Sequence, residues 1–190
     1  MRWQDDYPCD SGSIDGADSA RLVGIMAVFN HPIFVICSDY AKRNYIDEYY
    51  YLRHPIEKNK YPFSRDQAVC LFAGLHVQGS SAWVNPNYKP QNDFISPSVR
   101  GHFKRCAGLT DTWLERMWLY VDVLYSAYVD PLAESNQLIC MLMIADRKYL
   151  KLWCKLNKQW PESITSYWCN WRNEPELAEL MISTIKEKIK

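Results

Sequence analysis

Apolar residues along the chain are grouped in long runs with helical spacing, and little of the sequence alternates as a half-buried strand does. Asp15 and Asp18 stand at the N-cap and N3 positions before ARLVGIMAVF, which predicts a buried helix. Ser38 opens a second predicted helix, which ends before Pro55 because the residue preceding a proline disfavours the α conformation. Between them NHPIFVIC, broken by Pro32, is predicted to be a short strand or a buried extended segment.

Two further helices are bounded by recognisable start and stop signals. Ser64 and Gln67 form a predicted capping box before DQAVCLFAGLHVQG, with Gly79 as the C-terminal stop. Ser96 and Pro97 supply an N-cap and a first-turn proline for SVRGHFKRCAG. The segment 80–94 between these helices is the longest predicted loop.

The remaining sequence continues the helical pattern to the C-terminus. Thr110 is the predicted start of a long amphipathic helix. Its predicted apolar side carries Trp113, Met117, Tyr120 and Leu124. The Asp130–Pro131 pair opens the next helix, and Pro161 and Pro175 mark the starts of later ones.

Together these signals predict an all-α fold, a compact bundle of about seven or eight helices arranged as helical hairpins. The length favours a single helical domain over 1–190. Within it, a half rich in polar motifs (about 10–106) precedes an aromatic-rich half (about 110–190).

Composition narrows the classes of partner. Net charge is zero, which gives no electrostatic reason to expect nucleic acid as a partner. The longest apolar runs, LVGIMAVF and LICMLMIA, are too short for a membrane span, and the acidic N-terminus does not resemble a secretory signal. The seven cysteines form no Cys-x-x-Cys pair, so we expect reduced core thiols in a protein made inside a cell.

Aromatic residues are abundant, with eight Trp, thirteen Tyr and six Phe. Protein interfaces and carbohydrate clefts both use such amphipathic rings, so the excess predicts contact with a protein or a glycan. No P-loop, dinucleotide fingerprint or nucleophile elbow is present, and the four histidines are not paired closely enough for zinc. The sequence therefore favours a binding protein over an enzyme, and predicts neither a cofactor nor a metal.

Charged residues flank several predicted helix ends in the first half of the chain, and a shared rim there would suit a polyhydroxylated or anionic ligand. The candidate acid/base residues are Asp15, Asp18 and Asp66. The candidate ligand-binding residues are Arg21, Arg53, His54, Arg65 and His102. Each of these residues also has a structural interpretation as a helix cap, an intrahelical ion pair or a tie between helices. The functional and the structural interpretation are both kept as hypotheses.

The ordered segments DGADSAR, LRHP, FSRDQ and SPSVRGHFKRC resemble a group of uncharacterised phage and bacterial helical proteins with DGxDS…R, RHP and SRDQ motifs. In helical layout the group is similar to parts of α/α-toroid carbohydrate-active enzymes. The resemblance covers roughly 10–106 and implies a phage or prophage origin. It also implies a shared polar site at Asp15, Asp18, Arg21, Arg53, His54, Arg65 and Asp66.

Three hypotheses follow. The first is a phage-encoded binding protein, either a virion component or a host-directed effector, located in the host cytoplasm or the virion and able to form homo-oligomers or virion assemblies. The second is a small glycan-active enzyme with paired carboxylates as acid and base, and with Arg53 and Arg65 orienting the substrate. The third makes the charged pairs structural ties that hold the helices in register.

Overall fold

The structure, a computed structural model of the 190-residue chain, describes residues 2–4, 7–9, 19–32, 63–90, 94–126 and 135–190. Eight α-helices lie in these ranges, which confirms the predicted all-α bundle. They are α1 (Ser19–Val28), α2 (Arg65–Val77), α3 (Pro97–Cys106), α4 (Trp113–Ser126), α5 (Ser135–Ile144), α6 (Arg147–Leu156), α7 (Trp160–Thr165) and α8 (Pro175–Ile189). The predicted starts at Asp15, Ser38 and Asp130 lie outside the described residues.

A small antiparallel ladder precedes the helices, and the sequence pattern did not indicate it. Strand β1 (Arg2–Gln4) pairs with β2 (Tyr7–Cys9), with Arg2 opposite Cys9. Strand β2 lies against α1. With only three residues in each strand, the ladder is an appendage to the helical bundle and leaves the fold class unchanged.

Two predicted helix boundaries are confirmed by their hydrogen bonds, and two more by the position of a proline. Ser96 caps α3, since its hydroxyl accepts a bond from the backbone N–H of Val99, and Pro97 is the first helical residue. Gly79 ends α2 in the left-handed conformation, with φ of +70°. The N–H groups of Gly79 and Ser80 return to carbonyls of the last turn, as in a Schellman motif. Pro161 and Pro175 lie in the first turns of α7 and α8.

The predicted capping box at Ser64 and Gln67 is wrong in its hydrogen bonds, although α2 does begin after Ser64. The Ser64 side chain makes no capping bond. Gln67 is 0% exposed, and neither atom of its side-chain amide has a hydrogen-bond partner among the described residues. Gln67 points into the core because it lies on the buried side of α2, and a buried side chain cannot reach back around the helix end.

A capping box that the sequence analysis missed opens α4. The Thr112 hydroxyl accepts a bond from the N–H of Glu115, and the Glu115 carboxylate accepts one from the N–H of Thr112 at 2.7 Å. The N-cap is therefore Thr112, two residues after the start predicted at Thr110, and Trp113 is the first helical residue. Lys104 on α3 donates to the same carboxylate at 2.7 Å, which ties the two helices together.

The closest packing in the described core is between α1 and α2. A Cβ atom built on Gly24 would lie 2.2 Å from the backbone of Cys70, and one on Gly74 would lie 2.9 Å from the Cβ of Ala27. The contacts advance in the same order along both helices, so the two helices run in the same direction. Small residues are required here because the two backbones are nearly in contact.

Aromatic side chains fill the core beside this crossing. Phe72 packs edge-on against Phe103, with their ring centroids 5.0 Å apart. Tyr88, from the predicted loop, packs against Phe63 and Phe72, and its hydroxyl donates to the carbonyl of Phe63. The segment 80–90 is therefore a loop with one turn of 3-10 helix at Ser81–Trp83, and Val84 and Tyr88 anchor it to the core.

The C-terminal helices are separated by short connections. Asp146 caps α6 by accepting a bond from the N–H of Lys148. Helix α7 continues into a π-helical turn at Ser166–Trp171, and α8 follows. Helix α4 packs against α3 and α6, so one side of it belongs to the core.

Candidate functional site

The structure brings three of the predicted polar site residues to one end of the α1–α2 pair. Arg65 and Asp66 lie in the first turn of α2, where Arg65 Nε donates to Asp66 Oδ1 at 2.9 Å. Arg21 lies in the first turn of α1, half-buried. Both Arg21 and Asp66 act on the buried Cys70 thiol, whose pKa is raised mainly by burial, then by Cys140 and Asp66, and lowered by Arg21.

Four other predicted site residues, Asp15, Asp18, Arg53 and His54, lie outside the described residues. Of the three candidate carboxylates, the structure therefore describes Asp66, and its partner there is the adjacent arginine. This ion pair between adjacent residues in the first turn of α2 matches the structural interpretation of FSRDQ. The Asp66 carboxylate also lies near the positive end of the helix dipole, where a negative charge is stabilising.

His102 lies in the core, which corrects its predicted placement at a rim. Its side chain is 0% exposed, and Nε2 lies 2.9 Å from the carbonyl oxygen of Val69. Burial and the charge of Arg105 lower the pKa of His102 to about 3, so the imidazole is neutral at pH 7. The hydrogen bond to α2 gives this histidine a role in joining α3 to α2.

His102 and Cys106 are four residues apart on α3, a spacing that brings a thiol beside an imidazole. The sulfur lies 3.5 Å from His102 Nε2. Burial raises the pKa of the Cys106 thiol far above its usual value, while the pKa of His102 is lowered. Both groups are therefore neutral, whereas nucleophilic catalysis needs a thiolate. This pair is part of the core.

Arg105, which belongs to the same polar motif, also ties helices together. Its Nη1 donates to Asp111 Oδ2 at 2.5 Å, and both side chains are largely buried. His76 Nδ1, at the end of α2, lies 3.1 Å from the carbonyl oxygen of Cys106. These contacts join the ends of α2 and α3 to the segment that leads into α4, as the structural hypothesis for the charged residues expects.

The most unusual surface in the described ranges is the outward side of α4. Twelve large apolar side chains are exposed, and seven of them lie on this one helix. They are Trp113, Leu114, Met117, Trp118, Tyr120, Val121 and Tyr125. Trp113 and Tyr125, near its two ends, are 69% and 63% exposed. We call this set, together with the half-buried Leu124, the α4 face.

The predicted apolar stripe of α4 is part of this face and does not pack into the core. Trp113, Met117 and Tyr120 are exposed, while the buried positions are Glu115, Leu119 and Val123. Sequence analysis missed Leu114, Trp118, Val121 and Tyr125 as candidate contact residues. Their signal was available, since apolar residues surround almost the whole circumference of this helix and only one side can face the core.

The α4 face is comparable in area to the largest apolar patch expected on a monomer. At about 200 Å² for a whole aromatic side chain, the exposed parts of its four rings amount to roughly 400 Å². Leu114, Met117 and Val121 add to that area. The largest apolar patch on a typical monomer is about 300–600 Å² and is often functional.

Metal and membrane sites are not indicated in the described part of the chain. Within the described ranges, no cluster of three or more His, Cys, Asp or Glu side chains is placed to ligate a metal ion. Among the helices that the structure describes, none has both the length and the apolar character to cross a membrane. Comparison with protein-family models, with curated proteins and with solved structures finds no match for this chain.

Proposed function

We propose that this chain is a binding protein that engages a protein partner through the α4 face. The observation that carries the proposal is the concentration of exposed aromatic and aliphatic side chains on one helix. Tryptophan, tyrosine and methionine are enriched in the cores of protein interfaces. The phage origin implied by the motif resemblance makes the proposed protein a virion component or a host-directed effector.

The chemistry of the α4 face favours a protein over a glycan. A sugar ring needs hydrogen-bonding groups beside the aromatic platform that stacks on it, because its hydroxyls lose water on binding. The outward positions of α4 supply the Tyr120 and Tyr125 hydroxyls and the indole N–H groups of the two tryptophans, without an amide or carboxylate, and leucine, methionine and valine lie between the rings. A convex apolar helix of this kind is suited to packing against another protein surface.

Affinity capture tests the proposal. A tagged wild-type chain and a tagged Trp113→Ala/Tyr125→Ala variant are each incubated with a bacterial lysate that also contains the untagged chain. Exposed aromatic side chains can be truncated with little effect on the fold, and aromatic anchors commonly contribute about 2 kcal/mol or more to binding. We therefore expect the variant to lose at least about tenfold in retained partner.

The matched control is Trp83→Ala/Phe94→Ala, which removes two exposed aromatic side chains outside α4. It should retain the partner as the wild type does. Equal retention by all three proteins, or binding to a glycan array with no protein retained, would contradict the proposed function.

A further inference from the structure

The side chains of the α4 face are arranged symmetrically about Leu119. One residue away on either side lies an aromatic residue, and two residues away lies an aliphatic one. Five residues away lies a leucine on each side, and six residues away an aromatic again. The pairs are Trp118 and Tyr120, Met117 and Val121, Leu114 and Leu124, and Trp113 and Tyr125.

These matched residues all lie on the side of the helix opposite the core. Successive residues are about 100° apart around a helix, so each of the eight lies at least about 100° from the buried Leu119. Arg116 and Asp122 lie only about 60° from Leu119 and flank the buried side. Asp122 is half-buried, and Ser98 on α3 is its hydrogen-bond partner. The α4 face itself therefore carries no charged residue.

We propose that the partner of the α4 face is a second copy of this chain, with the two α4 helices antiparallel about a two-fold axis level with Leu119. This inference rests on the proposed function, whose partner it names. In such a pair, a residue n positions before Leu119 lies level with the residue n positions after Leu119 in the other copy. Met117 and Val121 lie within about 20° of the centre of the face, so Met117 of one copy meets Val121 of the other, while the aromatic residues lie along the flanks of the contact.

The absence of charged residues from the face is what favours a second copy over a different protein. A two-fold interface is isologous, so the same patch must be complementary to itself. An uncharged apolar face meets this requirement, because it places no like charges opposite each other across the two-fold axis. Net charge also favours self-association, since two copies of a chain with zero net charge do not repel each other over long range.

The area of the face corresponds to the size class of transient interfaces. A standard interface takes about 800 Å² from each partner, and the aromatic rings of the α4 face supply roughly half of that. With the aliphatic residues included, the contact falls at the lower end of the range for specific interfaces. We therefore expect a dimer with a dissociation constant on the order of micromolar rather than a permanent dimer.

Sedimentation velocity on the full chain, over a roughly hundred-fold concentration range around micromolar, tests the proposal. The wild type should shift from monomer to dimer across this range. Met117→Lys and Val121→Glu should each be monomeric, since each buries two unpaired charges in the symmetric dimer. Glu179→Lys, which changes charge at an exposed position on α8, is the control and should dimerise as the wild type does.

Mixing the two variants gives the decisive measurement. In a mixed antiparallel dimer, Lys at position 117 of one copy lies level with Glu at position 121 of the other, while the second such site keeps Met117 beside Val121. We expect the mixture to regain dimer by at least about tenfold in association constant over either variant alone. Far-UV circular dichroism on each variant verifies that it remains helical.

Two results would overturn the dimer and leave the proposed function standing. One is a wild type that stays monomeric while the α4 face still captures another protein. The other is self-association that Met117→Lys does not weaken, which places the contact elsewhere on the chain. If substitutions on the face alter neither self-association nor capture, both proposals fail together.

Discussion

Gln67 is a polar residue that is fully buried in the core. Its side chain is 0% exposed, and in the part of the chain that the structure describes neither the amide nitrogen nor the carbonyl oxygen has a hydrogen-bond partner. An unpaired buried amide costs free energy, because the hydrogen bonds it makes to water in the unfolded chain are not replaced. Gln67 is thus a local loss of stability within an otherwise well-packed helix.

We expect Gln67→Met to raise the free energy of unfolding by about 1–3 kcal/mol, because methionine has a similar shape and no group that needs a hydrogen bond. Urea denaturation with an unchanged m value measures the gain. Gln159→Met, at an exposed glutamine before α7, is the control and should change stability little. A loss of stability in Gln67→Met would show that the amide has a partner, such as a buried water molecule.

At the scale of elements, the contact between α1 and α2 depends on glycine. A Cβ atom on Gly24 would lie 2.2 Å from the Cys70 carbonyl carbon, and backbone cannot move aside as a flexible side chain can. A Cβ atom on Gly74 would meet the Ala27 Cβ at 2.9 Å, a milder overlap. The separation of the two helices is therefore set by these two residues.

We expect Gly24→Ala to destabilise the fold by more than about 3 kcal/mol and Gly74→Ala by about 1–3 kcal/mol, since overpacking forces the backbones apart. Gly79→Ala is the comparison, because nothing lies within 4 Å of its Cβ position and its cost, about 1–2 kcal/mol, comes from the positive φ alone. Chemical denaturation gives the three values. The close crossing would be refuted by Gly24→Ala unfolding at the wild-type midpoint.

Some element boundaries that depend on local chemistry were predictable from the sequence, although the capping boxes at Ser64 and Thr112 were not. Ser96, Pro97 and Gly79 act through bonds and dihedral angles within a few residues of themselves, and the structure confirms all three. The side of a helix that faces the core depends on its neighbours instead. Because α4 is apolar almost all round, its pattern did not reveal that Trp113 faces solvent while Leu119 is buried.

Prediction of the candidate site was limited in the same way, because the positions of its residues depend on how the helices pack. Arg65 and Asp66 are adjacent in sequence, so their first-turn ion pair follows from local geometry. Arg21 approaches the same end only because α1 and α2 run in the same direction, which no local signal encodes. His102 was expected at a rim because charged residues surround it in sequence, yet the helix turns it toward Val69 in the core.

At the scale of the whole molecule, buried neutral histidines make the free energy of unfolding depend on pH. Burial and Arg105 lower the pKa of His102 to about 3, while an unfolded histidine has a pKa of 6.5. Burial also lowers the pKa of His31, against the opposing charges of Glu174 and Glu176. Above pH 6.5 both histidines are neutral in either state, so neither reduces stability there.

Below pH 6.5 the unfolded chain binds protons that the folded chain excludes, so stability must fall as pH falls. For His102 the loss begins near pH 6.5 and continues down to about 3, at up to about 1.4 kcal/mol for each pH unit. Urea denaturation between about pH 7 and pH 5 measures this slope, in a window where carboxylates remain mostly ionised.

His102→Gln should reduce the slope, whatever its effect on stability at pH 7, since glutamine does not titrate. If that variant does not fold, NMR of the wild-type imidazole replaces it, and a His102 signal that titrates near pH 6.5 in the folded protein would refute the buried neutral state.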